Sequence, residues 1–132
     1  MSQLQRSLWG PALWSFLHTA AATLDSPAAF VQILLALPDT LPCPECRRHT
    51  EDFFQKRPPH AEVQDALTAS RYCFEMHNAV NVRLGKKLAS RHELHARHGV
   101  LLPAPASVAS RGGAEAPSDR RPFQRVRPYR MI

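Results

Sequence analysis

With 132 residues the chain has room for one domain and one modest core. Its longest apolar stretches, around residues 28–37 and 14–24, are too short or too interrupted to span a bilayer, and the opening MSQLQRSLWG lacks the layout of a secretion signal. The net charge is +6 with only three cysteines, which excludes a secreted disulfide framework and leaves redox chemistry or metal binding for the cysteine pair.

Ser7 reads as a cap before a first helix over residues 8–24, with Pro11 in its first turns. Trp14, Leu17, Ala21 and Leu24 form its apolar stripe. Ser26-Pro27 is a cap followed by proline at the first helical position. The second helix is expected to end at Leu37, with Phe30, Ile33, Leu34 and Leu37 facing inward and Pro38 and Pro42 bracketing a loop. A third helix opens at Cys43 and runs to Lys56, where Pro58-Pro59 stops it. A fourth is expected over residues 61–84, with a break near residues 68–70 and Gly85 as its end. A last short helix covers residues 87–98. No segment alternates as a strand does, so the fold class is all-α, a small bundle.

The bundle domain is expected to fill residues 1–102. Residues 103–132 are rich in Pro, Ala, Ser, Gly and Arg and have few core formers, so they read as a disordered basic tail. Its six arginines face only Glu115 and Asp119, a net +4, which leaves +2 for the rest. Such a tail is either solvated or a contact for nucleic acid or another polyanion.

Cys43-Pro44-Glu45-Cys46 opens a helix, whose N-terminal amides stabilise a thiolate, and Arg47 and Arg48 add positive charge. The alternative is half of a zinc site completed by histidines, in an interaction module with a nucleic-acid-binding tail. His92, His95 and His98 cluster near the domain's end and read as a solvated face. A redox CxxC usually sits in a thioredoxin-type fold, which needs strands that this sequence lacks. An all-helical protein then needs another electron acceptor. Trp14 and His18 lie one turn apart on one helix face, and Gly10, a turn earlier, leaves room beside them. His77, Asn81 and Leu84 share a second face, flanked by Asn78 and followed by Lys86 and Lys87. Asparagine is a poor helix-interior residue, so two beside a histidine need a reason. Rings, amides and lysines suit a planar nucleotide cofactor; the competing readings are core packing and a solvated polar face.

Trp9-Gly10…Trp14…His18, then Cys43…Cys46, then His77-Asn78-Ala79-Val80-Asn81-Val82-Arg83-Leu84-Gly85-Lys86 together resemble the Erv/ALR family of FAD-dependent sulfhydryl oxidases, over residues 9–87. The resemblance implies a four-helix bundle plus one short helix, FAD held non-covalently, and a homodimer. It implies Cys46 as the cysteine beside the flavin and Cys43, open to a partner, as the one that exchanges with substrate. Gly10, Trp14, His18, Cys46, His77, Asn78, Asn81, Lys86 and Lys87 would hold FAD, and no metal is expected. Electrons would pass from thiols of substrate proteins or a redox carrier protein, through the disulfide and FAD, to molecular oxygen, giving hydrogen peroxide. Cellular members often carry a second, structural disulfide. Cys73 lies near its first position, but residues 87–132 hold no partner cysteine, so Cys73 reads as a buried free thiol. There is no shuttle cysteine pair either. The short core without a targeting segment is most similar to members encoded by large DNA viruses, which implies a host-cytoplasmic or virion location and no membrane contact.

Overall fold

The computed structural model describes residues 3–98, so the expectations for residues 103–132 lie outside it. The ordered elements among the described residues are helices: α1 (Gln3–Ala22), α2 (Pro27–Thr40), α3 (Pro44–Lys56), α4 (Pro59–Glu62), α5 (Ala66–Arg83) and α6 (Arg91–His98). The all-α expectation holds, with four long helices, a short α6 and a single-turn α4.

α1 begins before Ser7, so Ser7 is not its cap, and Pro11 sits in the helix interior. A proline there costs one backbone rung and strains the preceding turn. Burial downstream offsets this: Leu17 and Ala21 are fully buried, with Leu13, Trp14 and Leu24 packed at the core edge. Ser26 caps α2 as read, its hydroxyl accepting from the Ala29 amide at 3.2 Å. α2 then continues through Pro38 to Thr40. Phe30, Val31, Leu34 and Leu37 form its buried face, whereas Ile33 lies on the flank, 37% exposed, and does not face inward as expected.

Pro58-Pro59 ends α3 and starts the one-turn α4. The break before α5 falls at residues 63–65, not 68–70. Thr68, read as a breaker, belongs to the start signal. Its amide donates to Asp65 Oδ1 at 2.8 Å while its hydroxyl accepts from the Asp65 amide at 3.0 Å, a reciprocal capping box. α6 begins at Arg91, four residues later than expected. Ser90 caps it, accepting from the Glu93 amide at 3.1 Å, and the Glu93 carboxylate accepts from the Ser90 amide at 2.7 Å.

α1 packs along α5 and α2 along α3; α4 touches α2 and α5, and α6 lies on α1. Tyr72 and Cys73 of α5 are buried in the centre with Leu17, Phe30 and Leu34. The end of α3 is tied to α5 by Arg57. Its guanidinium lies 5.6 Å from the Phe53 ring centre and 5.7 Å from that of Tyr72, and it pairs with Glu62 and Glu75. The Tyr72 hydroxyl donates to the Arg57 carbonyl at 2.7 Å. This buttress keeps α3 at a fixed depth against α5, and α3 and α5 carry the two later motifs.

Candidate active site

Cys43 is the N-cap of α3, Pro44 its first residue, and Cys43 and Cys46 form a disulfide with Cα atoms 5.1 Å apart. The Cys46 amide donates to Cys43 Sγ at 3.2 Å. That amide is one of the unpaired donors at a helix start, so it is oriented to stabilise negative charge on sulfur. The Thr50 hydroxyl donates to the Cys46 carbonyl at 2.8 Å, and Arg47 Nε donates to the Leu41 carbonyl, fastening the turn before the motif. Both cysteines are enclosed: Cys43 is 4% and Cys46 8% exposed. The expected open position of Cys43 is corrected to a nearly closed one, because its side chain folds back as a cap onto its own helix.

A cavity of about 720 Å³ lies between α1, α3 and α5. Cys46 is in its wall and Cys43 is not, so the two sulfurs have different surroundings. Gly10, Trp14, His77, Asn81 and Lys86 also line it. The structure thus brings six of the expected residues around one space, from three motifs far apart in sequence. Trp14 and His77 stack there with ring centres 4.1 Å apart and planes 2° apart, a flat aromatic slab. A Cβ added at Gly10 would meet nothing within 4 Å, so the space beside it is open.

Lys86 reaches the cavity through the end of α5. Gly85 takes φ +66°, its amide donates to the Val82 carbonyl at 3.0 Å, and the Lys86 amide donates to the Asn81 carbonyl at 2.8 Å. This is a Schellman cap, and glycine supplies its left-handed residue. The Leu-Gly-Lys run therefore reverses the chain at the cavity rim.

His18, Asn78 and Lys87 are not among the lining residues. His18 stands behind His77, with Nε2 3.0 Å from His77 Nδ1, and both rings are buried. One imidazole donates to the other, which couples the tautomers of the two rings and holds the tilt of the one facing the cavity. Asn78 turns outward from the cavity: its amide donates to the Ala89 carbonyl and its carbonyl accepts from the Ala89 amide, both at 3.0 Å. It also accepts from Asn81 Nδ2 at 3.2 Å, so it steadies both residues 86–90 and the lining Asn81. Lys87 is exposed beyond the cap.

Leu37 was read from sequence as inward-facing and Trp9 as part of the first motif, but Leu41, Phe53, Arg6, Lys56 and Arg83 were not assigned to the site. Leu37, Leu41 and Phe53 make the wall apolar, while Arg6, Lys56 and Arg83 add positive charge. Trp9 Nε1 is buried in that wall without a hydrogen-bond partner. A buried orphan donor is costly unless something accepts its proton. Arg6 and Lys56 carry no periodic signal, and only the folded chain brings them to the cavity. The zinc alternative needs further ligands beside the two cysteines. Among the described residues no group of three or more His, Cys, Asp or Glu is placed to hold a metal ion, and the side chains of His95 and His98 lie outside the described set. No helix among the described residues is long and apolar enough to cross a membrane.

A helical bundle that walls a cofactor-sized cavity with one sulfur of a CxxC disulfide has the layout of a cofactor-linked thiol–disulfide redox protein. More particularly, the chain belongs to the Erv1 / Alr family, whose profile matches residues 11–98. Protein 096R of Invertebrate iridescent virus 3 is 29% identical over 109 residues, covering 78% of this chain and 74% of its own length. The FAD-linked sulfhydryl oxidase of African swine fever virus is 33% identical over 91 residues, covering 64% of this chain and 75% of its own. The crystal structure of the yeast Erv1 core superposes with a TM-score of 0.60 at 25% identity, covering 69% of this chain and 80% of that one.

Proposed function

We propose that this protein is an FAD-linked sulfhydryl oxidase that converts two protein thiols to a disulfide with oxygen as the final acceptor and hydrogen peroxide as the second product. The observation that carries the reading is the asymmetry of the CxxC: Cys46 stands in the cavity wall and Cys43 does not. Family membership and the FAD-linked relatives support the cofactor and the activity.

The cavity fits FAD on its own evidence. The Trp14–His77 slab offers a stacking face, Trp9 Nε1 an unused donor, Gly10 open room, and Arg6 and Lys86 charge for phosphates. Trp14, His77, Asn81, Lys86 and the Gly10 backbone would hold the group, with His18 and Asn78 setting the rings and amides behind them. Bound FAD supplies a two-electron acceptor that restores the disulfide and passes the electrons to oxygen.

The chain's own residues carry the exchange. A substrate thiolate attacks Cys43 Sγ; the Cys43–Cys46 bond breaks and Cys46 leaves as the thiolate. The α3 N-terminus stabilises that anion. A second substrate thiolate then attacks the mixed disulfide, releasing Cys43 and an oxidised substrate. Cys43 is nearly closed, so a substrate thiol must gain access to a sulfur that is 4% exposed.

The quaternary reading is a homodimer through α1. Leu8 (74% exposed) and Phe16 (52%) lie two turns apart on one exposed face, with Ala12 between them.

Oxygen uptake with dithiothreitol, with peroxide measured in parallel, tests the activity. Turnover should be lost in Cys46→Ser while the purified variant stays yellow. Full turnover in that variant would remove Cys46 from the reaction.

A further inference from the structure

Glu45 lies between the two redox cysteines, in the first turn of α3. A carboxylate there is favoured by the same helix end that must stabilise a Cys46 thiolate. Two anions then share one positive terminus, and unscreened charge on Glu45 would oppose the thiolate. The structure places a cation against it from another helix. Arg83 Nη1, at the last residue of α5, lies 3.6 Å from Glu45 Oε1. His49 Nε2, one turn along α3, is also 3.6 Å from that oxygen and adds charge when protonated. Arg83 is the more enclosed partner, its side chain 22% exposed against 56% for Glu45. Arg83 and His49 line the cavity together with Cys46.

We propose that Arg83 is a positioning residue that neutralises Glu45, with help from His49, and so lets the α3 N-terminus act on the Cys46 thiolate alone. This rests on the redox reading of the CxxC and adds a coupling to it. The helix that carries the His77–Asn81 face also sets the acidity of the sulfur it faces. The remaining charges near Cys46 are Arg47 and Arg48 on α3, with Arg6 on α1, and Asp52, Lys56 and Lys86 elsewhere in the same wall; His77 faces the same space. Among the described residues the cations paired with Glu45 are Arg83 and His49, and the Arg83 contact is the one that bridges from α5 to the carboxylate between the cysteines.

The proposal predicts a sign pattern in a double-mutant cycle. In a Cys43→Ser/Cys73→Ala background, which leaves Cys46 as the one thiol, the Cys46 thiolate is titrated by its ultraviolet absorbance and by its alkylation rate with iodoacetamide. Arg83→Gln should raise the midpoint by about half a pH unit, roughly a threefold loss of thiolate below the midpoint, because a half-exposed pair is worth little more. Glu45→Gln should lower the midpoint. In Glu45→Gln/Arg83→Gln the effect of losing Arg83 should largely vanish, and Arg83→Lys should retain the parent midpoint. Additive shifts would show that Arg83 acts on the sulfur directly, and an unchanged midpoint would show that it does not act at all; either overturns the proposal. Flavin content is measured on each variant. If Arg83→Gln loses flavin with the thiolate unmoved, Arg83 serves the cofactor and the proposal fails. The titration reads one thiol whether or not the parent protein consumes oxygen, so a failed oxidase reading remains distinguishable from a failed charge clamp.

Discussion

Asn78 belongs to the His-Asn motif, yet its side chain holds protein backbone, and replacing it should cost stability first and cofactor second. Asn78→Ala removes three hydrogen bonds: two at 3.0 Å to the amide and carbonyl of Ala89, and one at 3.2 Å from Asn81 Nδ2. Each such bond contributes about 0.5–1.5 kcal/mol net. The site is half-buried, so water takes up part of the loss, and the sum comes to about 2 kcal/mol. For a domain of this size that lowers Tm by roughly 10 °C. The loss should be local as well as global. The Ala89 amide should exchange with solvent faster in the variant, and Lys86, on the freed segment, should hold flavin less well. Asn78→Asp keeps the acceptor and loses the donor, so it should fall between the two. Urea unfolding with amide exchange at Ala89 makes the measurement. A loss under about 0.5 kcal/mol with unchanged Ala89 protection would refute the assignment of Asn78 as a backbone pin.

Gly85→Ala meets no neighbour within 4 Å, but it forces alanine to φ +66° and should cost about 1–2 kcal/mol in urea melts, with weaker flavin retention; a neutral result would show that the left-handed cap does not place Lys86. Burial pushes the Cys73 thiol up from 9.0 to about 12. The folded state therefore keeps its proton while the unfolded chain loses it, and stability should fall as pH rises above 9. Cys73→Ala should flatten that limb of the pH–stability curve and leave oxygen uptake near the parent's; an unchanged slope would contradict the shift. Phe16→Glu should move a dimer to monomer in sedimentation without unfolding it, and an unaltered mass distribution would take the interface away from α1.

The elements most legible from sequence were those whose signals are local. Ser26-Pro27, Cys43-Pro44 and Gly85 each mark a helix end through one residue's own cap or φ preference, and each is found at an end. The misreadings came where a local signal was outweighed. Pro11 and Ser7 suggested a later start to α1, but packing of Leu17 and Ala21 carries the helix through. The break expected near residues 68–70 lies earlier, because the Thr68 hydroxyl engages the backbone as half of the capping box with Asp65. For the site, the periodic faces identified Trp14, His77 and Asn81, since a shared helix face is a matter of spacing. What spacing cannot reveal is which face meets which. The contact between His18 and His77 joins residues 59 apart in sequence, and the Glu45–Arg83 pair likewise exists only once α3 lies against α5. Asn78 differs from Asn81 only in which side of α5 it leaves, and that decides between a cavity wall and a backbone pin.

The role proposed for Cys46 is to deliver electrons from a dithiol to FAD held in the cavity it lines. Anaerobic addition of stoichiometric dithiothreitol to the purified protein, followed at the oxidised-flavin absorbance, tests it most directly. The parent protein should bleach, and Cys46→Ser should stay yellow with flavin still bound. Folded protein that takes up no FAD, or flavin that bleaches equally well without Cys46, would contradict it.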